Sequence, residues 1–235
     1  MMKTYVYATG GKGGVGKSLM SMLFADYLAM TKDVLLIDTD MTNSDCYAVY
    51  KNGKQSNIEC KVQQLRSEDT SGQVDVSGLM ATFDDDRECV VVDAPAGDTV
   101  LLSNAGGAIA EMCAEYKAKS TIAWMVDSAD RTGVNALNAA IEQIKSVDLI
   151  LLIRNYKTSS DFDFFENSKT IEKIKALGNV RIIDLPKVAS RITQRIRIDR
   201  ASFAQMCSTD TPVGDRVEAR RIRALMHRTL ENVGL

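Results

Sequence analysis

Eight residues near the amino end, Gly11-Lys12-Gly13-Gly14-Val15-Gly16-Lys17-Ser18, fit the pattern G-x-x-x-x-G-K-[ST]. The chemistry this suits is the grip of a di- or triphosphate. Glycines let the backbone turn its N–H groups inward, and a helix starting at the end of the loop adds positive potential, so that together they form an anion cradle. Lys17 would bridge the outer phosphates, and the Ser18 hydroxyl would join the shell of a magnesium ion. The pattern does not demand Lys12, which stands ahead of the paired glycines. A second cation there suits the charge that develops on phosphoryl oxygens during transfer, although a solvated loop lysine is the plainer use of that residue type.

Two further segments end on acids. Asp38-Thr39-Asp40 closes the apolar run 34–37, and Asp93 closes the run 89–92 and leads into Ala94-Pro95-Ala96-Gly97-Asp98. In an open α/β sheet the ligand lies beyond the carboxyl ends of the strands, which brings these carboxylates toward the phosphate loop. One acid can help hold Mg²⁺ through water and another can orient an attacking water. Capping of the next helix is the competing use for Asp38 and Asp40. Asp93 suits the magnesium shell, and Gly97 could offer a backbone N–H to a γ-phosphate. Other chemistries are poorly supplied. There is one histidine, His227, which excludes a multi-histidine metal site and leaves a Ser-His-Asp relay almost nothing to work with. Five cysteines at no pair spacing suit free thiols in a reducing compartment.

The elements that must position these residues are legible as alternating apolar runs and amphipathic stretches. Strands are expected at 4–9, 34–37, 89–92, 121–126, 149–153 and 180–183, and helices at 17–30, 74–83, 103–116, 132–144, 161–177 and 213–233. The stretch 51–72 reads as loops around a strand near 58–62, or as an insertion. Continuous apolar strands imply burial on both faces, so the fold class is α/β, a mostly parallel sheet with helices on each side, formed by residues 1–235 as one domain. No window is long and apolar enough to span a membrane, and residues 1–12 contain no apolar signal core, so a cytoplasmic location is expected.

The string from Lys12 to Ser18 resembles the deviant Walker A motif of the MinD/ParA ATPases, and the resemblance runs over nearly the whole chain. It implies a P-loop NTPase that uses ATP and Mg²⁺, with Lys12 reaching across a homodimer to the partner's phosphates. It also implies that Asp40 polarises water and Asp38 supports the metal, although Met41 replaces the proline usual in that switch. By the same resemblance Asn155 and Pro186 would hold adenine, with an amide and a proline-bearing loop. Finer features are similar to the StbB/TraL-type stability and transfer ATPases of conjugative plasmids: the segment Ile37-Asp38-Thr39-Asp40 with Asn43, Asn155-Tyr156 leading to Phe164-Phe165-Glu166, and an arginine-rich close.

Charge bears on the task. Residues 181–235 carry a balance of +5 and residues 1–180 a balance of −7. Arg191, Arg195, Arg197 and Arg200 form one group, and Arg216, Arg220, Arg221, Arg223 and Arg228 another on the last helix, a footprint suited to non-specific DNA or to a plain solvated face. Ile222, Leu225, Met226, Leu230 and Val233 form a stripe beside those arginines, fit for core packing or for a membrane surface. The leading expectation is an ATP-driven dimeric switch in plasmid stability, partition or conjugative transfer, working with a separate plasmid-encoded DNA-binding adaptor because no helix-turn-helix precedes residue 4. A MinD-like membrane-associated regulator and a biosynthetic ATP-dependent enzyme on the same scaffold are the alternatives.

Overall fold

The computed structural model describes residues 2–52, 57–65, 67–68, 74–75, 77–95, 99–128 and 131–235. Its strands are β1 (Lys3–Gly10), β2 (Val34–Asp38), β3 (Ile58–Val62), β4 (Ser67–Glu68), β5 (Val74–Asp75), β6 (Cys89–Asp93), β7 (Ala118–Asp127), β8 (Leu149–Asn155) and β9 (Val180–Leu185). The helices are α1 (Lys17–Leu28), α2 (Asp45–Tyr50), α3 (Ser77–Met80), α4 (Thr99–Glu115), α5 (Arg131–Ile144), α6 (Asp163–Glu166), α7 (Lys169–Lys175), α8 (Ser190–Gln194), α9 (Phe203–Met206) and α10 (Val213–Asn232).

Seven strands form one sheet in the order β3-β2-β6-β1-β7-β8-β9, every neighbouring pair parallel. Because side chains alternate across a strand, consecutive residues feed opposite layers. Val6, Ala8, Val34, Leu36 and Val91 pack under α1, α2 and α10. Tyr5, Tyr7, Leu35, Ile37, Val90 and Val92 pack with Trp124 under α4 and α5. The interiors of β2 and β6, and of β8 as far as Ile153, are therefore apolar without a break and read as doubly covered, whereas the edge strands β3 and β9 carry exposed charges such as Glu59 and Arg181.

The sequence expectation of one helix over 74–83 is corrected: β5 lies there, then α3 and a 3₁₀ turn over Ala81–Asp84. A Cβ at Gly78 would sit 2.3 Å from the Gln64 carbonyl, so this segment is fixed by close backbone approach and not by an amphipathic face. The helix expected over 161–177 is two, because Ser168 caps α7 by accepting from the Ile171 amide at 3.2 Å. Helices α2, α8 and α9 were not expected. All three are six residues or shorter, too short to show a period. The strand near 58–62 is β3, at the sheet edge, and part of 51–72 lies outside the described residues.

Candidate functional site

The phosphate loop joins β1 to α1. Gly14 and Gly16 have φ of 75° and 99°, in the left-handed region that favours glycine. No side chain caps α1, and its first turn holds no acid, so its leading N–H groups are open to an anion. They face a cleft of about 550 Å³. Lys17 is buried at 7% exposure, and its ammonium donates to the Lys12 carbonyl at 3.0 Å. Burial draws its pKa down, opposed by the Asp93 and Asp40 carboxylates.

Parallel register sets the acids side by side: Asp38 on β2 is the direct partner of Asp93 on β6. Both are buried. Asp38 accepts from the Asp40 amide at 3.2 Å and the Tyr47 amide at 3.0 Å. Asp93 accepts from the Ser21 hydroxyl at 3.0 Å, from the Cys46 thiol at 3.4 Å, and from the Ser18 hydroxyl. Burial pushes the pKa of Asp38 up to about 6, with the backbone N–H groups resisting and Asp40 adding repulsion. Burial likewise pushes Asp93 up to about 7, with Ser18 opposing and Asp38 adding repulsion. Two buried acids that repel each other, next to the Ser18 hydroxyl, are a donor set that fits a hard divalent ion, and Ser18, Asp38 and Asp93 could hold Mg²⁺.

Asp40 borders the same cleft. Its carboxylate accepts from the Thr42 and Asn43 amides at 3.0 and 2.9 Å, which folds the segment after β2 back on itself. Lys12 is half-exposed and pairs with Asp127 of its own chain, at the end of β7, at 3.4 Å. Pro186 borders the cleft beyond β9. Asn155 also borders it, but as the last residue of β8, not in the loop after it, and its amide donates to the Val15 carbonyl at 2.8 Å. Gly97 lies outside the described residues. Gly11 and Gly13 lie in the loop between β1 and α1.

Sequence reading missed Ser21, Cys46, Lys157 and Asp127. Ser21 had a signal, since it lies one helical turn beyond Lys17, to whose carbonyl it donates at 3.1 Å. Cys46 had none, because it rides on the unforeseen α2.

The arginine groups are largely committed within the protein. Arg191 and Arg195 pair with Asp215, Arg200 with Asp45, Arg221 with Glu218, and Arg223 with Asp26. Arg216 and Arg220 donate to the main-chain carbonyls of Thr209 and Cys207. The apolar stripe of α10 packs inward through Ala219, Ile222, Met226 and Leu230, whereas Leu225 is exposed. Among the described residues no helix is long and apolar enough to cross a membrane.

The arrangement has clear relatives. The CobQ/CobB/MinD/ParA nucleotide-binding domain matches residues 6–208. The chain is 27% identical over 236 residues to the protein MobD of Acidithiobacillus ferrooxidans, with 99% of both chains covered. Among solved structures it is similar to the septum site-determining protein MinD of Pyrococcus horikoshii OT3 complexed with Mg-ADP (TM-score 0.57, 13% identity, 99% and 98% of the chains covered). It is also similar to a protein assigned to plasmid partition in Borrelia burgdorferi B31, bound to AMPPNP (TM-score 0.53, 14% identity, 97% and 99% covered). The parallel sheet, the glycine loop and a match spanning most of the sequence lead to one conclusion: this chain belongs to the CobQ/CobB/MinD/ParA family of nucleotide-binding P-loop proteins.

Proposed function

We propose that the chain is a Mg-ATP-dependent ATPase that switches between monomer and ATP-bridged homodimer, and that it serves plasmid stability, partition or mobilisation. The observation that carries this is the paired lysines on one uncapped phosphate loop. Lys17 is buried behind the loop, while Lys12 stands half-exposed at its rim, its ammonium paired with Asp127. A buried lysine serves its own phosphates; a rim lysine is free to serve those of a facing copy. Bound Mg²⁺ would neutralise phosphate charge and align the β- and γ-oxygens. Ser18, Asp38 and Asp93 would hold it, and Asp40 would orient the attacking water. The plasmid role draws on the relative MobD and on the fold shared with the Borrelia protein.

A DNA platform fits the cations left over at the close of the chain. Arg216, Arg220 and Arg228 form no ion pair among the described residues, so they offer charge to a phosphate backbone. A DNA-binding adaptor encoded on the same plasmid would supply site choice. The stripe of α10 is spent mostly on the core, so a lipid platform would rest on the exposed Val213, Val217 and Leu225 with no aromatic beside them on that helix.

The test is light scattering of the wild type with and without Mg-ATP, beside Lys12→Ala and Asp40→Ala. The wild type should double in mass with Mg-ATP, Lys12→Ala should bind nucleotide yet stay monomeric, and Asp40→Ala should form a dimer that persists. A Lys12→Ala chain that dimerises and hydrolyses normally would remove the trans role of that lysine.

A further inference from the structure

We propose that Cys46 opens the divalent-ion site to thiophilic metals: Asp38, Cys46 and Asp93 together take a zinc-class ion, through two carboxylates and one sulfur, in competition with Mg²⁺. The competition rests on the Mg-ATP reading above; the three-residue site does not.

Three separate elements bring the donors together. Asp38 ends β2, Asp93 ends β6, and Cys46 stands in the first turn of α2. All three are buried, and one donor atom from each lies within 4.8 Å of the other two. Among the described residues no other set of three His, Cys, Asp or Glu side chains gathers as closely. The start of α2 is docked on the acids. The Cys46 and Tyr47 amides donate to the Asp38 carboxylate, the second at 3.0 Å. That docking sets the Cys46 thiol against Asp93, to whose Oδ2 it donates at 3.4 Å.

A buried cysteine ordinarily serves as a small hydrophobe. Cys46 differs because its sulfur faces a buried carboxylate. Around a tetrahedral zinc ion a sulfur and an oxygen ligand stand about 3.6 Å apart, so the Sγ to Oδ2 edge already has the span that two ligands of one ion need. Binding exchanges the thiol proton for the ion. The S–H bond breaks, a sulfur–metal bond forms, and the proton passes to solvent with no change of oxidation state. Asp93 Oδ2 trades a hydrogen bond for a metal bond, while Oδ1 keeps the Ser21 hydroxyl at 3.0 Å. The cradle is thus held in place as the ion enters.

Sulfur is what separates the two kinds of ion. Mg²⁺ is hard and gains nothing from a thiolate, whereas a zinc-class ion prefers it and stands higher in the general order of divalent affinities. Three protein ligands leave a fourth position for water or an oxygen of a bound phosphate. Access follows the same route as for magnesium, since Ser18, Asp40 and Ala94 border the cleft beside the acids. An ion held by Cys46 and Asp93 would also tie α2, and with it the preceding segment that carries Asp40, to the end of β6.

The experiment titrates the full, nucleotide-free chain with CdCl₂ and with ZnCl₂. Cadmium is followed by its thiolate charge-transfer absorption, and zinc by competition with a chromogenic chelator. The wild type should bind one equivalent of either ion, with the absorption of a single cadmium–sulfur bond. Cys46→Ser should remove the absorption and weaken both ions by roughly a hundredfold. Cys207→Ser, at a half-buried thiol outside the group, should change neither. With one equivalent of zinc bound, the apparent affinity for Mg-ATP should fall about tenfold and return when a zinc-selective chelator is added.

Binding that survives Cys46→Ser, or is lost with Cys207→Ser, would overturn the proposal. So would zinc binding that leaves Mg-ATP affinity untouched. Should Cys46→Ser not fold, zinc-edge X-ray absorption of the wild type decides alone: one sulfur among oxygen neighbours supports the site, and no sulfur, or two or more, overturns it. A wild-type chain that binds Mg-ATP but neither probe overturns this proposal only. A chain that binds the probes through Cys46 but never Mg-ATP overturns the nucleotide reading and leaves the three-residue site standing.

Discussion

Two sets of buried aspartates in this molecule have opposite fates. Asp26 on α1 is fully buried, and its Oδ2 accepts from Arg223 Nε and meets His227 Nε2, both at 2.7 Å. Burial alone would push its pKa up, yet the hydrogen bonds from His227 and Arg223 outweigh burial and hold it below the usual carboxylate value. Asp38 and Asp93 are equally buried but accept only from neutral donors among their hydrogen-bond partners, with the partly neutralising Lys17 ammonium near Asp93, and they are pushed up to about 6 and about 7. The same side chain, equally removed from water, either meets two basic groups through one oxygen, as Asp26 does, or lies beside a second acid, as Asp38 and Asp93 do. Asp26 fastens α10 to α1. Asp38 and Asp93 leave the positive charge to come from outside, which is the physical mark of a site.

The contrast can be broken by substitution. The largest expected effect lies in the site itself: Lys17→Ala should abolish measurable ATP binding, a loss above about a hundredfold, checked by equilibrium titration. Next come the acids. Asp26→Asn should destabilise the chain by about 2–4 kcal/mol in denaturant unfolding, because it strands a half-buried Arg223. Asp93→Asn should leave the ligand-free chain no less stable at pH 8 while removing the magnesium requirement for tight ATP binding. A destabilisation by Asp93→Asn as large as that of Asp26→Asn would erase the distinction.

The two sets also differ in pH response. A carboxyl whose folded pKa lies above its unfolded value holds an extra proton in the folded state, so stability falls as pH rises through that window. Asp38 and Asp93, titrating jointly, should therefore lower the stability of the metal-free chain between about pH 4 and pH 7, with no further change above. Asp26, held low, contributes stability that is present above its unfolded pKa and is lost as pH falls below about 4. Urea unfolding from pH 3 to 9 in a chelator checks both. Mg-ATP should flatten the upper slope and leave the acid limb unchanged.

The smallest effect belongs to the arginines. Arg221 already pairs with Glu218 at 2.8 Å, whereas Arg220 donates to a carbonyl. Arg220→Glu should reduce DNA retention more than Arg221→Glu, by a few-fold at low salt, and added salt should narrow the gap. Equal effects would show that the internal pairing does not govern which cations meet DNA.

Much of this was readable from residue order because it depends on local pattern. The apolar runs of four to six residues showed the sheet core, the glycine string showed the loop, and Asp38 and Asp93 showed themselves as acids closing apolar runs. What was not readable depends on register or on elements too short to carry a period. That Asp38 and Asp93 are direct partners follows from parallel pairing, which no window of sequence contains. Cys46 enters the site on a six-residue helix. Asn155 was legible as a site residue but not in its contact: β8 runs two residues beyond the expected 149–153, and the amide at its end meets the Val15 carbonyl. The pairing of Lys12 with Asp127 joins positions far apart in the chain through neighbouring strand ends.

The most direct test of the central claim, that Lys12 works on a facing copy's nucleotide, is subunit mixing. Lys12→Ala and Asp40→Ala chains, each inactive alone, are combined at equal concentration and ATP hydrolysis is measured. If Lys12 acts across the interface, each mixed dimer has one complete site of its two, and chains mixed before ATP is added should regain clear turnover, up to about half that of wild type. If it acts within its own chain, every site lacks one of the two groups and the mixture stays as inactive as its parts, which would contradict the account.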